Sequence, residues 1–337
     1  MLILSIDSTS FLPRISLTDR ENVVFQVSDT LHPIDWKEFK SGDGSYIIYD
    51  FLSQIEIGFE KSGKKIEEVD IICYSWYSGF RKTMLIGKIL SETLGAIYKK
   101  KVVNVDHITA HYFSLFVEKD IQTFNYPILF LSASGSHNSF AIMKHSKYLQ
   151  VLWNDTQYDL ERNQYMWLWN IFFRTLRLLK IISESDTAAV VTDAISNLSW
   201  DINIHIVEEL KRVYQNTNMF DLNFYNIFEK LKYISWSTEL SVDTLYLSFQ
   251  EAIFDIIQQK LEKILFIMPS QTIAIVWWIS NNDALIQKLS VHFESKHISV
   301  IRPEVWFRLD NAAMLGVLCY HFLKEGTQYD FSQIISD

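Results

Sequence analysis

The chain has 337 residues, 48% hydrophobic and 21% charged, with a formal net charge of −9. That length suffices for one large or two medium α/β domains, and the acidic balance excludes binding of nucleic acid through overall charge alone. Two cysteines without metal-like spacing, no basic leader segment and no apolar run of about 18 residues predict a reduced, cytoplasmic protein that makes no membrane contact. The lysine clusters at 61–65 and 99–101 read as solvated surface. One figure is unusual. The chain has 10 Gly and 10 Trp, so glycine stands near 3% where about 7% is ordinary.

In chain order, "LILSID", "RISLTD" and "NVVFQVS" are apolar runs separated by polar breaks, and they predict an antiparallel three-strand meander. A helix over 46–61 follows, then the strand "VDIICYS", a helix over 81–98, the strand "VVNV" and a helix opening at Asp106. The pattern then restarts. "YPILFLSAS", "NSFAIMK" and "KYLQVLW" form a second meander, and a helical section runs over about 160–265. It ends in "DTLYLSFQEAIFDIIQQKLEKIL", with Asp243 in the N-cap role. The strand "TIAIV", a helix, the strand "HISVI" and a last helix from Asp310 complete the chain.

Two copies of βββαβα predict an α/β fold of two lobes with a cleft between them, the organisation of the actin/hexokinase-like superfamily. The boundaries fall at 1–120 for the first lobe and 121–337 for the second, whose helical insertion covers about 160–240.

The residues that could carry chemistry begin with His107 and His111 in "VDHITAHYF". At i and i+4 they share one helix face and are spaced to hold a single metal ion, although no glutamate lies between them as in the zincin motif. Satisfied helix-face histidines have the same spacing, so the pair alone leaves both readings open.

"NVDHITAH" resembles the NHxxAH segment of the TsaD family, the tRNA threonylcarbamoyladenosine transferases. "LSASGSHNSF" is similar to its VSGGHT turn, "LSFQEAIFDIIQQKL" to its SFQ-x-AV-x-D helix, "WWISNNDAL" to its GGVSAN turn, and "LDNAAMLG" to its TDNAAMIA segment. The resemblance implies that His107, His111 and Asp310 ligate one divalent metal, iron or zinc, with Asp310 also at a cap position. It implies that Ser134, Gly135, Ser136 and His137 present backbone N–H groups to phosphate. Asn282 would meet an adenylate nucleotide at a helix N-terminus, with Trp277 and Trp278 lining that turn. Asp7 and Ser8 fall where the superfamily approaches phosphate, and an ordinary strand-end turn explains them equally well. Asp159, in "DTQYDL", is a candidate ribose or adenine contact. The implied activity is transfer of a threonylcarbamoyl group to an adenosine beside the tRNA anticodon, with tRNA, a TsaB-like subunit and a TsaE-like ATPase as partners. A non-catalytic scaffold subunit of the same fold is the alternative, and a kinase of the same superfamily a third. The family's ETSCDET segment survives only as "IDSTSFLPR", and its PE-x-x-SR-x-H segment has no counterpart in "PIDWKEFKSGDGS".

Seven tryptophans stand where this family uses glycine: Trp76, Trp153, Trp167, Trp169, Trp236, Trp277 and Trp278. Bulky side chains at so many tight turns oppose turn sterics. A UGA codon read as glycine in the source organism, and written as tryptophan in translation, accounts for all seven. Several of these indoles are then expected to be exposed or to intrude near the nucleotide turns.

Overall fold

The first sheet grows from Leu2–Asp7 (β1), whose residues from Ile3 onward are buried. Arg14–Asp19 (β2) pairs with it antiparallel, with Leu4 opposite Leu17 and Asp7 opposite Arg14. Asn22–Val27 (β3) extends the meander. After the helix Ser45–Ser62 (α1), Ile71–Trp76 (β4) joins β1 in parallel, Leu4 opposite Ile72. Arg81–Tyr98 (α2) crosses over to Lys101–Asp106 (β5), parallel to β4. The order is β3-β2-β1-β4-β5, a meander followed by a βαβ unit.

The computed structural model describes residues 1–9, 12, 14–27, 45–77, 81–134, 137–155, 174–181, 183, 201–214, 219–220, 222, 224–237 and 239–330. These divide into two compact units, 1–125 with 144–149 and 302–329, and 126–143 with 150–301 and 330–337.

The second sheet repeats the scheme. Ile128–Ala133 (β6), Asn138–His145 (β7) and Tyr148–Asp155 (β8) form its meander. Thr272–Val276 (β9) lies parallel to β6, and Ser299–Ile301 (β10) parallel to β9. The order is β10-β9-β6-β7-β8, with Gln328–Asp330 (β11) at the edge. Duplication of meander plus parallel βαβ is the actin/hexokinase-like architecture that the element order predicts.

Between β8 and β9 the described helices include Ile204–Arg212 (α4), Tyr225–Ser237 (α5) and Val242–Ile267 (α6). They pack with β6 and β9 into one apolar core that includes Leu131, Phe140, Phe224, Phe249, Ile253 and Ile275. The cap of α6 differs from the sequence expectation. Ser241 takes the role, its Oγ accepting the Thr244 N–H at 3.1 Å, and Asp243 lies inside the first turn. Serine in extended backbone satisfies an orphan N–H, while Asp243 favours the positive end of the helix dipole.

Asp283–Glu294 (α7) joins β9 to β10. Ala313–Leu323 (α8) is apolar almost all round and correspondingly buried. Gly316 lets it lie close to the first sheet, because a Cβ there would stand 2.3 Å from Thr18 Oγ1 and 2.8 Å from Ser5 Oγ. This helix too starts later than expected. Asn311, not Asp310, supplies the first-turn acceptor, its Oδ1 taking the Met314 N–H at 2.9 Å.

Candidate functional site

His107–Phe113 (α3) begins directly after β5. Asp106 caps it, with Oδ1 accepting both the backbone N–H and the hydroxyl of Thr109 at 2.7 Å. That cap fixes the direction in which the first turn leaves the sheet. Both histidines are buried, His111 completely. Their imidazoles meet edge to face with Nε2 atoms 3.2 Å apart. Asp310 completes the cluster. Its Oδ1 lies 3.3 Å from His111 Nε2 and 3.6 Å from His107 Nε2.

These separations fit a metal ion. Ligands about 2.0–2.2 Å from one centre, at angles between octahedral and tetrahedral, stand about 2.8–3.6 Å from one another. All three observed separations fall inside that interval. The donor set also fits, because two imidazoles and a carboxylate bind zinc or iron and leave positions open for another ligand. His107, His111 and Asp310 form a group able to hold an ion, with one ligand atom each.

Protonation favours the same reading at two of the three residues. Burial, reinforced by the neighbouring His107 charge, lowers His111 to about 4. Burial also works against protonation of His107, but the carboxylates of Asp7, Asp310 and Asp106 outweigh it and raise its pKa. Burial works against ionisation of Asp310 as well, yet the two histidines and Arg14 hold its carboxyl well below the usual range. A neutral His111 beside an ionised Asp310 is the ligating form of both residues.

Three further residues surround the cluster, and the sequence reading missed them. Arg14 Nη1 stands 3.7 Å from Asp310 Oδ2. Thr9 Oγ1 lies 3.4 Å from His107 Nδ1 and donates to Asp7 Oδ1 at 2.9 Å. Ser75 donates to the same oxygen at 2.9 Å. The signal for Arg14 is the hairpin register that pairs it with Asp7, and composition does not reveal register. Asp7 itself stands behind His107, Oδ1 to Nδ1 3.6 Å. Ser8 turns inward against Gly87, where any Cβ would meet its Oγ at 2.1 Å.

The second unit holds the other residues singled out from sequence. Ser134 and His137 close their turn on each other, Ser134 N donating to His137 O at 2.9 Å and His137 N to Ser134 Oγ at 3.1 Å. Those two N–H groups are therefore engaged, and Gly135 and Ser136 lie outside the described residues. Trp277 is buried, with its ring stacked on His137 at 6.0 Å, while Trp278 is half-buried. Asn282 is the N-cap of α7 as expected, with its Oδ1 accepting the Leu285 N–H at 3.0 Å. Asp159, Trp167 and Trp169 lie outside the described residues. No described helix is long and apolar enough to cross a membrane.

Residues 51–168 match the family model of TsaD, tRNA N6-adenosine threonylcarbamoyltransferase. A tRNA N6-adenosine threonylcarbamoyltransferase of Mycoplasma capricolum is 24% identical over 283 residues, 81% of this chain and 82% of that one. One of Mycoplasma mobile is 24% identical over 332 residues, 97% of this chain and all of the other. A ROK family protein from Streptococcus pneumoniae, solved with sucrose, is similar with a TM-score of 0.46 and 12% identity, covering 97% of this chain and all of that one. The matched segment contains α3 and both histidines, and the relatives align along most of their length. The chain is thus similar to tRNA N6-adenosine threonylcarbamoyltransferases, through the family model over residues 51–168 and at 24% identity along most of its length.

Proposed function

We propose that this protein is a transferase of tRNA modification. It moves a threonylcarbamoyl group from threonylcarbamoyl-adenylate to the exocyclic amine of the adenosine beside the anticodon. The observation that carries the reading is the convergence of Asp310 with His107 and His111, a pair it follows by roughly 200 positions in sequence yet meets within ligand distance in space. A non-catalytic scaffold has no use for three converging ligands, so the convergence favours an enzyme over that alternative. A divalent ion held by His107, His111 and Asp310 would supply a Lewis acid for the carbamoyl group.

The chain's own residues prepare that site. Asp310 brings a negative charge, steadied by Arg14 on its second oxygen. His111 remains neutral because it is buried. His107 is braced from behind by Asp7 and Thr9. In the transfer the amine nitrogen forms a bond to the carbamoyl carbon, the bond from that carbon to the adenylate phosphate oxygen breaks, AMP leaves with that electron pair, and the proton lost by the amine passes to the AMP phosphate or to solvent. The turns at 134–137 and 277–282 are the proposed contacts for the adenylate. With a net charge of −9, the chain depends on a basic partner for tRNA affinity, and TsaB-like and TsaE-like proteins are the proposed partners.

The test uses the purified full chain. Metal analysis should find one iron or zinc per chain, and His111→Ala should lose it together with threonylcarbamoyl transfer while keeping the wild-type fold. Normal transfer by a metal-free His111→Ala protein would sink the proposal.

A further inference from the structure

The backbone at residue 277 has a conformation that belongs to glycine. Trp277 follows the last residue of β9 and has φ 69° and ψ −157°. With positive φ and ψ near 180°, an L side chain collides with its own backbone, and the region is essentially restricted to glycine. A tryptophan there is strained whatever surrounds it.

The backbone bonds that close this turn do not involve the indole. The Trp277 carbonyl accepts the Ser280 N–H at 2.9 Å and the Ser280 hydroxyl at 2.5 Å. Asn282 N donates to Ile279 O at 3.1 Å, and the Asn282 side chain caps α7. Every one of these bonds is available to a glycine at 277. The buried indole makes a ring stack on His137, a contact that brings packing but does not require positive φ.

Two other tryptophans are also poorly accommodated. Trp153 keeps its indole Nε1 buried without a hydrogen-bond partner among the described residues, although buried indole N–H groups ordinarily find one. Trp236, in the last turn of α5, is 76% exposed. Composition points the same way, with 10 Trp and only 10 Gly in 337 residues. The described glycines sit chiefly where a helix meets a neighbour closely, as Gly87, Gly95 and Gly316 do, and few remain for turns.

We infer that residue 277 is glycine in the protein as its source organism makes it, and that tryptophan at 277 is the translation of a UGA codon which that organism reads as glycine. Of the twenty residues, tryptophan is the one that alternative codes commonly write for UGA, so the substitution needs no mutation. The same reading extends to the other six tryptophans named from sequence and would bring glycine to about 17 residues, roughly 5%, nearer ordinary usage. The inference stands on backbone geometry and composition, independently of the proposed transferase activity.

The deciding experiment reads the gene and the native protein together. The codon at 277 should be UGA, and the peptide spanning 272–288 from the source organism, which holds both 277 and 278, should be lighter than the tryptophan form by two indolylmethyl groups, one at each position. A UGG codon overturns the inference, and so does UGA with tryptophan in the peptide. A second comparison tests the strain in the recombinant chain. Trp277→Gly and Trp277→Ala both delete the indole, but only glycine relieves positive φ. The glycine variant should have a folded-to-unfolded ratio at least about 5-fold higher than the alanine variant. An alanine variant as stable as the glycine variant would remove the structural basis of the inference.

Discussion

Gly316→Ala should destabilise the protein even though alanine is the better helix former. The substitution gains about 1 kcal/mol of helix propensity in α8. Against that, the new Cβ would stand 2.3 Å from Thr18 Oγ1, 2.8 Å from Ser5 Oγ and 3.2 Å from Thr18 Cγ2. The nearest contact is about 1 Å short of ordinary van der Waals distance. Thr18 is fully buried in β2, and rotating its χ1 to move the hydroxyl brings another heavy atom toward the helix. The helix must therefore retreat from the sheet. Overpacking of this kind costs about 1–3 kcal/mol, and three close atoms place the cost near the upper end, for a net loss of about 2 kcal/mol. Urea unfolding at constant m-value measures it. Thr18→Ala removes both the Oγ1 and the Cγ2, so the double variant should recover at least about 1 kcal/mol relative to additivity. Stability of Gly316→Ala equal to or above wild type, or a cost that Thr18→Ala leaves unchanged, would refute the packing argument.

Two other outcomes follow from the charged groups. Asp7→Asn keeps acceptors for Thr9 and Ser75 but removes the carboxylate behind His107. It should weaken metal binding about 10–100-fold, measured by chelator competition, and unchanged affinity would show that Asp7 does not brace the ligand. Asp255 lies between Lys211 at 2.8 Å and Lys288 at 2.6 Å. Burial pushes its pKa up, but the two lysines more than offset that and hold it below the ordinary value. A carboxyl with a lowered folded pKa stabilises the protein fully above its unfolded value, near 3.9, and loses that contribution as pH falls through the folded pKa. With all three side chains partly exposed to solvent, the Asp255 interactions are worth at most about 1 kcal/mol. Wild type and Asp255→Asn should differ at pH 7 and converge below about pH 4, and a constant offset in urea midpoints across that range would contradict the assignment.

The fold was legible because both sheets are written in period-2 and continuous apolar runs with clear polar breaks, from "LILSID" to "TIAIV". The duplicated order then constrained topology. Helix starts were less legible. Asp243 and Asp310 both look like caps, yet the adjacent or nearby Ser241 and Asn311 hold those bonds. Either oxygen type satisfies an orphan N–H, and only the approach of the backbone decides which one does. The histidine pair was legible from spacing, and Asp310 only through resemblance, because nothing local in "RLDNAAM" marks it as facing a residue 200 positions away. Arg14 was invisible because its role comes from strand pairing, and Thr9 because it meets a histidine 98 positions away. The strain at Trp277 was visible only indirectly, as a bulky pair at a strand-to-helix turn.

The topology explains why the candidate ligands gather where they do. β1, β4 and β5 run parallel, so their carboxyl ends share one edge of the first sheet. Asp7 ends β1, Ser75 lies one residue before the end of β4, and Asp106, which caps α3, ends β5. β2 runs antiparallel and so begins at the same edge, which brings Arg14 opposite Asp7. The sheet edge thus fixes the backing residues and the start of the histidine helix in one register. α8 packs against β1, β2 and α3, and the segment leading into it delivers Asp310. Asp310 can face the histidines because Asn311 takes over the first-turn bond. In open α/β sheets, ligand sites form outside the carboxyl ends of parallel strands because the chain reverses there and leaves backbone and side chains unpaired. The second unit obeys the same rule: Ser134 follows the end of β6, and Trp277 follows the end of β9, parallel to it. A residue that must pass close to a ligand at such a strand end favours glycine for the same steric reason that makes Trp277 strained. The position of the candidate metal centre and the anomaly at 277 therefore have one cause, the reversal of the chain at the carboxyl edge of a parallel strand.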